Sequence, residues 1–183
     1  MFFDTDQFEW IPEIEAAYPE MLKELEALSE DDFKSWPERR YYNFGWKAFG
    51  LYAWGVRLDK NCKKCPITTK TLEKIPRLFN AGFSFMRPGT HIKPHHGFPE
   101  GVLRYHIGMI IPGKCGIRVG EAVRGWEAGK SFVFDDTMNH EAWNHSDKRR
   151  IILLVDFKAE HLCVHKPKYY LDQLEKEKAK VAS

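Results

Sequence analysis

The chain has 183 residues, of which 43% are hydrophobic and 30% are charged, so it is long enough to bury the core of one domain. Its 28 basic side chains nearly balance 26 acidic ones, and a net charge of +2 gives no indication of nucleic-acid binding. There is no signal peptide, no apolar stretch near the ~20 residues of a spanning helix and no disulfide framework, so we expect a cytoplasmic protein without a membrane anchor.

The N-terminal part is predicted to be helical, because apolar residues recur at steps of three and four. Pro12 suits a first helical turn, and Pro19 must either kink this segment or restart it. A second short helix is expected at residues 29–32, and a third from Thr68 or Thr69 that buries later apolar residues. These apolar positions are Ile11, Ile14, Tyr18, Met21, Leu22, Leu25 and Leu28, followed by Leu72, Ile75 and Leu78.

From about residue 83 the pattern predicts short β-strands separated by turn signals such as Pro88-Gly89 and Pro112-Gly113. Evenly spaced short strands are typical of an antiparallel barrel or jelly roll. We therefore expect one domain, 1–183, with a helical part at about 1–80, a β-barrel core at about 81–160 and a C-terminal helix at about 167–180. The predicted strands are residues 83–86, 103–111, 117–119, 131–134, 141–144 and 150–157.

Histidines are concentrated in the β-rich half, where His95 and His140 stand in two separate contexts about 45 residues apart. An iron site that activates O₂ needs neutral imidazoles and open coordination positions. In the usual facial triad, the first histidine is followed two residues later by Asp or Glu. Here that position is Gly97, so water or another anion would have to complete the ligand set if His95 binds metal. A lone histidine is otherwise more often a surface or core residue.

Candidate cationic side chains lie on the predicted strands near these histidines. Arg150 lies on the strand after His140, and a guanidinium can grip a carboxylate through two hydrogen bonds, although such an arginine is more often exposed or ion-paired. Arg104 and His106 share one strand face and could line the same cavity. Asp136, four residues before His140, either accepts a hydrogen bond from a water at the metal or is a turn residue before a strand, and the sequence favours neither.

The pattern of cysteines does not indicate a function. Cys62 and Cys65 form a single CxxC, whereas a structural zinc site needs two further ligands, and no second pair is present. A redox pair is no better supported. We interpret these two, together with Cys115 and Cys163, as structural residues.

Five blocks of the sequence are informative together: Phe85-Met86-Arg87-Pro88-Gly89, Pro94-His95-His96-Gly97, Leu103-Arg104-Tyr105-His106, Trp126-Glu127-Ala128-Gly129-Lys130 and His140-Glu141-Ala142-Trp143. In these blocks the chain resembles the aspartyl/asparaginyl β-hydroxylase family. The order and spacing of the five blocks carry the resemblance over residues 41–162. It implies a double-stranded β-helix, a mainly β, cupin-like jelly roll with flanking helices. It also implies hydroxylation that depends on Fe(II), O₂ and 2-oxoglutarate.

The resemblance assigns roles to particular positions. His95 and His140 would hold the iron, and Gly97 matches the family's own glycine at the missing-carboxylate position. Ser84 and Arg150 would bind the distal carboxylate of 2-oxoglutarate. The remaining cosubstrate positions are Arg104 and His106 near the metal-bound end, with Trp46 and Met86 lining the pocket, although an aromatic or methionine there is as often a core residue.

The substrate is not implied. An Asp or Asn side chain in a peptide, a free amino acid or modified peptide, and an acyl chain all stay open, and so does the oligomeric state. Two other functions also stay open. One is a halogenase that binds chloride at the position left by the missing carboxylate, and the other is a non-catalytic barrel that binds a metal or a small acid.

Overall fold

Two antiparallel β-sheets and their flanking helices make up the structure, a computed structural model that describes residues 1–97 and 101–181. The helices are α1 (Ile11–Ala16), α2 (Tyr18–Glu26), α3 (Asp59–Cys62), α4 (Pro66–Leu72) and α5 (Lys168–Val181). Short 3₁₀ turns lie before α1, at Thr5–Gln7, and between α2 and α3, at Glu30–Asp32 and Arg39–Tyr41. The strands are β1 (Phe2–Phe3), β2 (Lys34–Ser35), β3 (Trp46–Ala53), β4 (Val56–Arg57), β5 (Leu78–Met86), β6 (His91–His95), β7 (Val102–Ile110), β8 (Cys115–Val119), β9 (Ala122–Arg124), β10 (Ser131–Asp135), β11 (His140–Asn144) and β12 (Arg150–Lys158).

Successive strands from β5 onward are divided between the two sheets. The larger sheet has the order β1-β10-β7-β12-β5-β3-β2, with β4 beside β3, and the smaller has the order β6-β11-β8-β9. The chain therefore passes back and forth between two facing antiparallel sheets, which is the topology of a double-stranded β-helix. The fold class expected from the sequence is confirmed.

The larger sheet separates two cores, because successive residues of a strand point to opposite faces. Its outer face buries residues such as Phe83 and Leu153 against the N-terminal helices. Its inner face packs toward the smaller sheet with a second cluster that includes Trp46, Phe134 and Trp126. Ser84, Arg104, His106 and Arg150 lie on this inner face, and His95 and His140 line the same cavity from the smaller sheet. No helix in the described ranges has the length and apolar character required to cross a bilayer.

The N-terminal helical segment is interrupted at Ala17, so Pro19 restarts it as α2 and does not kink one long helix. Each helix carries its proline in its first turn, where the missing N–H would lack a helical partner in any case. The expected short helix at 29–32 is a 3₁₀ turn at Glu30–Asp32, where Ser29 and Asp32 form a capping box.

The prediction for the third helix was wrong at both ends. It begins at Pro66 and ends at Leu72, while Ile75 is buried in the turn that follows and Leu78 opens β5. The start depends on α2, because the carboxylate of Glu24 accepts hydrogen bonds from the N–H groups of Ile67 and Thr68 at 2.7 and 2.8 Å. A cap from a distant helix cannot be read from the local sequence.

The assignment of residues 1–80 to helices also needs correction, since β3 at Trp46–Ala53 is a strand of the larger sheet. Both of its faces are covered in part: Phe49 and Leu51 pack in the outer core and Trp46 packs in the inner one. A strand with apolar residues on both faces does not show the alternation that identifies a half-buried strand.

Candidate active site

His95 and His140 lie opposite each other on neighbouring strands of the smaller sheet. Strand β6 pairs with β11 in a register that aligns the two residues, and their ring centroids are 4.3 Å apart. They are separated by 45 positions in the chain, and only the antiparallel pairing of these strands brings them together. Tyr41 stacks on the ring of His95, with the centroids 4.7 Å apart, at the outer side of the site.

Both imidazoles are held with Nε2 available as a ligand atom. Nδ1–H of His95 donates to the carbonyl oxygen of Lys93 at 2.7 Å, and Nδ1–H of His140 donates to that of Met138 at 2.8 Å. A carbonyl only accepts, so the proton stays on Nδ1 and the lone pair on Nε2. Nε2 of His140 is buried and has no hydrogen-bond partner among the described residues.

The surroundings of both histidines lower their pKa values and so favour the neutral imidazole. Burial, with the nearby charges of His95 and Arg104, lowers the pKa of His140 to about 3. Burial also lowers the pKa of His95, against the effect of the Lys93 carbonyl. A neutral imidazole with an exposed Nε2 lone pair is the form that binds a transition metal.

Asp136 occupies the space where a carboxylate at position 97 would project. The N–H of Gly97 donates to the main-chain carbonyl of Asp136 at 2.8 Å, and a Cβ placed on Gly97 would overlap the Asp136 carboxylate. That carboxylate is fully buried, with Oδ1 3.4 Å from Nε2 of His140. The chain thus lacks the triad carboxylate in sequence but has a carboxylate in nearly the same place.

The ligand atoms fit a metal with open coordination positions. Across residues 1–97 and 101–181, no three His, Cys, Asp or Glu side chains converge as a complete metal cluster. The protein would therefore supply two imidazole nitrogens directly, with Asp136 beside them. Nitrogen ligands with vacant positions suit non-haem Fe(II) better than a closed structural zinc site.

Arg104 is the centre of a buried chain of charges. It donates to both oxygens of Asp156, from Nε at 2.6 Å and Nη2 at 3.0 Å, and its Nη1 lies 2.7 Å from Oδ1 of Asp136. Asp156 also accepts from Nδ2 of Asn80 at 3.0 Å. Burial alone would lower the pKa of Arg104, but Asp136 and Asp156 raise it above its ordinary value. Arg104 is thereby fixed in place, and it fixes Asp136 beside His140.

Arg150 has the opposite environment. It is 1% exposed, yet no carboxylate in the described part of the chain pairs with it. Nη1 donates to the carbonyl of Ser84 at 3.3 Å, Nη2 faces the sulfur of Met86, and the guanidinium lies 4.6 Å from the centre of the Trp126 ring. Nε has no partner there. Burial lowers the pKa of Arg150 to about 9.

Other donors face the same inner cavity as Arg150. The Ser84 hydroxyl accepts from Nε1–H of Trp46 at 3.0 Å, which leaves its own proton to donate. Trp126 donates from Nε1 to Nδ1 of His106 at 3.3 Å, so the His106 proton is on Nε2, and that buried atom has no partner among the described residues. Burial, Arg104 and Arg150 keep the pKa of His106 well below its ordinary value. The cavity is therefore lined by buried hydrogen-bond donors that could bind a carboxylate.

Every residue assigned from the sequence lies at or next to this inner cavity. Its walls include both histidines, and Met86 and Asp136 contact residues in those walls. Two residues were missed. Trp126 was part of a recognised block but had no role, and Asp156 was the one acid in an apolar strand, on the same face as Arg150. The cysteines lie elsewhere: Cys62, Cys65 and Cys163 are buried and Cys115 is half-buried, all as free thiols.

The fold is a double-stranded β-helix in which two histidines converge beside buried hydrogen-bond donors, and comparison with known proteins shows the family. The sequence profile of the aspartyl/asparaginyl beta-hydroxylases matches residues 15–160. The chain therefore belongs to the aspartyl/asparaginyl beta-hydroxylase family. The family is named for beta-hydroxylases.

Two named relatives differ in what they act on. An ornithine lipid ester-linked acyl 2-hydroxylase of Rhizobium tropici is 42% identical over 166 residues, which cover 85% of this chain and 59% of that protein. The human aspartyl/asparaginyl beta-hydroxylase is 35% identical over 167 residues, which cover 80% of this chain and 22% of that protein. The chain thus spans 59% or less of the length of either.

Among solved structures, a predicted oxalate decarboxylase from Thermotoga maritima aligns with a TM-score of 0.48 at 12% identity. The alignment covers 69% of this chain and 92% of that one. This similarity is too low to bear on function.

Proposed function

We propose that this chain is an Fe(II)- and 2-oxoglutarate-dependent dioxygenase that hydroxylates an unactivated C–H bond. The observation that carries the proposal is Arg150, a fully buried guanidinium without a carboxylate partner among the described residues. An unpaired buried charge is strongly unfavourable, so we expect an anionic ligand to bind next to Arg150. A dicarboxylic acid whose other end reaches the two histidines meets that requirement.

In this proposal the chain's own groups bind and orient the reactants. His95 and His140 would hold Fe(II) through Nε2, and Asp136 would accept a hydrogen bond from a water that completes the ligand set. Arg150 and the Ser84 hydroxyl would bind the distal carboxylate of 2-oxoglutarate. Their burial would exclude water from the pocket and strengthen each of these interactions.

Arg104 and His106 would act at the metal-bound end of the cosubstrate. Nε2–H of His106 is a buried donor that has no protein acceptor among the described residues, so a carboxylate oxygen would satisfy it. Arg104, already held by two carboxylates, would act by fixing Asp136 more than by gripping the cosubstrate itself. Trp46 would hold the Ser84 hydroxyl in place.

The bound metal would supply O₂ activation. The oxidation of 2-oxoglutarate to succinate and CO₂ uses one oxygen atom of O₂, and the other atom enters the substrate as a hydroxyl group. Overall, substrate C–H, 2-oxoglutarate and O₂ give the alcohol, succinate and CO₂, and this balance needs no further reductant. The protein's share is binding, orientation and the exclusion of water.

A halogenase is disfavoured by Asp136. Chloride that completed the ligand set would lie next to the Asp136 carboxylate, to which it cannot donate a hydrogen bond as a water can. A second anion there would be repelled. A non-catalytic barrel that binds a small acid uses the same pocket, and only turnover separates it from the dioxygenase.

The test is titration of 2-oxoglutarate into anaerobic, Fe(II)-loaded protein, followed by O₂ exposure and quantification of succinate. We expect succinate from the wild type and none from His95→Ala or His140→Ala. Arg150→Met should weaken 2-oxoglutarate binding about 100-fold, the usual loss for one side of a buried charge pair. Arg149→Met, its exposed neighbour in the chain, should bind normally.

Two outcomes would contradict the proposal. Affinity for 2-oxoglutarate that does not respond to Arg150→Met would remove the assignment of the pocket. Tight 2-oxoglutarate and iron binding without succinate, with either candidate substrate class added, would favour the non-catalytic barrel. The candidate substrates follow the two relatives, which are named for acyl chains and for aspartyl or asparaginyl residues.

A further inference from the structure

The two histidines of the site are held by their surroundings to different degrees. His140 is 4% exposed, and its ring lies 5.5 Å from that of the buried Phe134. His95 is half-buried, is the last residue of β6 and lines the opening of the site, a cavity of about 190 Å³. A side chain at the end of a strand and beside an opening has fewer neighbours that restrict its rotamers. His95 therefore needs a further contact to fix the orientation of its ring.

Tyr41 supplies that contact. Its ring is stacked on the imidazole of His95, with the ring centroids 4.7 Å apart and the ring planes inclined by 26°. The hydrogen bond from Nδ1–H of His95 to the carbonyl of Lys93 fixes one atom of the imidazole, at 2.7 Å, but leaves rotation about that bond. A stacked aromatic ring restricts this rotation, because turning the imidazole would lose the contact between the two faces.

Tyr41 is held by its neighbour in the same 3₁₀ turn. Nη2 of Arg40 donates to the hydroxyl of Tyr41 at 3.0 Å, and the guanidinium carbon lies 4.7 Å from the centre of the Tyr41 ring. A guanidinium at this distance from an aromatic ring makes a cation–π contact. The position of the Tyr41 ring is thus fixed by groups other than His95.

The main chain after this turn is bonded to the strand that carries His95. Tyr42 forms an antiparallel bridge with Ile92 of β6, and the Tyr42 hydroxyl donates to the carbonyl of Trp36 at 2.8 Å. The indole of Trp36 is stacked on that of Trp46, with the centroids 4.2 Å apart, and the ring of Tyr42 meets Trp46 edge-on. These contacts fix Tyr41 relative to β6, as a positioning residue requires.

We propose that Tyr41 is a positioning residue of the metal site, whose stacked ring holds the His95 imidazole in the orientation that directs Nε2 toward the metal. The stacking is a property of the protein alone, and the inference rests on the proposed function only for what Nε2 binds. Because the hydroxyl of Tyr41 is engaged by Arg40, the ring and not the hydroxyl acts on His95.

The first test measures metal binding without turnover. Metal-free protein is titrated with Mn²⁺, and free Mn²⁺ is quantified by electron paramagnetic resonance. Tyr41→Leu should weaken Mn²⁺ binding about tenfold, as is usual when a residue that orients a metal ligand is lost. Tyr41→Phe keeps the ring and should bind Mn²⁺ as the wild type does. The matched control is Tyr52→Leu, at a half-buried tyrosine of β3, which should leave the affinity unchanged.

The second test needs no metal. Protons that lie over the face of an aromatic ring are shielded by its ring current, so the imidazole resonances of His95 report the stacking directly. In ¹H–¹³C correlation spectra of the metal-free protein, Tyr41→Leu should move these resonances downfield and move those of His140 less. Tyr52→Leu should move neither set. If circular dichroism shows that Tyr41→Leu misfolds, Tyr41→Met replaces it.

The third test separates positioning from a loss of folded protein. The rate of succinate formation is measured as the concentration of Fe(II) is raised. Tyr41→Leu should raise the apparent KM for Fe(II) about tenfold at nearly constant kcat, because excess metal compensates for a weaker site. A variant that is partly unfolded would instead show a lower kcat at every Fe(II) concentration.

Wild-type Mn²⁺ affinity in Tyr41→Leu would overturn the proposal, and so would equal losses in Tyr41→Leu and Tyr52→Leu. Equal losses in Tyr41→Phe and Tyr41→Leu would overturn the role of the stacked ring. Failure of the proposed function has a different signature, which is Mn²⁺ binding that does not change in His95→Ala. In that case the resonances of His95 alone decide whether Tyr41 fixes the imidazole, and unchanged resonances in Tyr41→Leu would refute it.

Discussion

The inner face of the larger sheet carries two buried arginines with opposite environments. Arg104 is held by Asp136 and Asp156, whereas among the described residues Arg150 contacts a main-chain carbonyl, a thioether and an indole ring but no carboxylate. Both are buried, but Arg104 has two carboxylate partners, and we propose that a ligand carboxylate pairs with Arg150. Burial of a charged residue therefore says little by itself, and its partners decide whether it has a structural or a binding role.

The largest effect expected from this contrast is on stability. Arg104→Met would leave two carboxylates buried without their cation, and it should lower the free energy of unfolding by about 3–5 kcal/mol in the ligand-free protein. Arg150→Met removes an unpaired charge and should leave stability unchanged or raise it. Urea unfolding of both variants measures the difference. Arg118→Met, which breaks a half-buried pair with Glu141, should cost about 1 kcal/mol or less.

When 2-oxoglutarate is bound, Arg150 should increase the stability of the protein instead of leaving it unchanged or lowering it. At a concentration of about 100 times its Kd, 2-oxoglutarate with Mn²⁺ as an inert metal should stabilise the wild type by about 2.7 kcal/mol. Arg150→Met should lose most of this gain, because Arg104, which lines the same cavity, is already paired with Asp136 and Asp156. The measurement is the midpoint of thermal unfolding with and without the ligand. An equal ligand-induced shift in both proteins would rule out Arg150 as the anion site.

A substitution at Gly97 tests whether Asp136 occupies the space where the triad carboxylate would lie. Gly97→Ala should destabilise the protein by about 1–3 kcal/mol, because its Cβ overlaps the Asp136 carboxylate. In the Asp136→Gly background the same change should cost clearly less, since the overlap is gone. A double-mutant cycle in urea gives the coupling energy directly. Additive effects would mean that the two positions do not compete for space.

The smallest effect is expected at Trp126, which positions both His106 and the guanidinium of Arg150. Trp126→Phe keeps a ring over Arg150 but loses the hydrogen bond, and Trp126→Leu loses both. We expect the KM for 2-oxoglutarate to rise about tenfold in the first and further in the second, at nearly constant kcat. A fall in kcat with unchanged KM would place Trp126 in catalysis instead of cosubstrate binding.

The sequence predicted most of the β-rich half, because its short apolar runs end at turn residues such as Pro88-Gly89. It did worse before residue 80. Strand β3 has covered faces on both sides and lacks simple alternation, and α4 begins where Glu24 from another helix caps it. The local hydrophobic pattern predicts a strand or helix only where one face of it is buried and its capping residues are nearby in the chain.

The sequence alone was sufficient to predict the family, which the comparisons confirm, and to select His95 and His140 as candidate ligands, because five motif blocks in a fixed order leave little freedom in spacing. It could not determine the role of Asp136, whose carboxylate takes the place left by Gly97 only after β6 and β11 pair. Nor could it separate Arg104 from Arg150, since their partners come from strands far apart in the chain. Charge compensation depends on distances of a few ångströms between such residues, and only the tertiary structure fixes those distances.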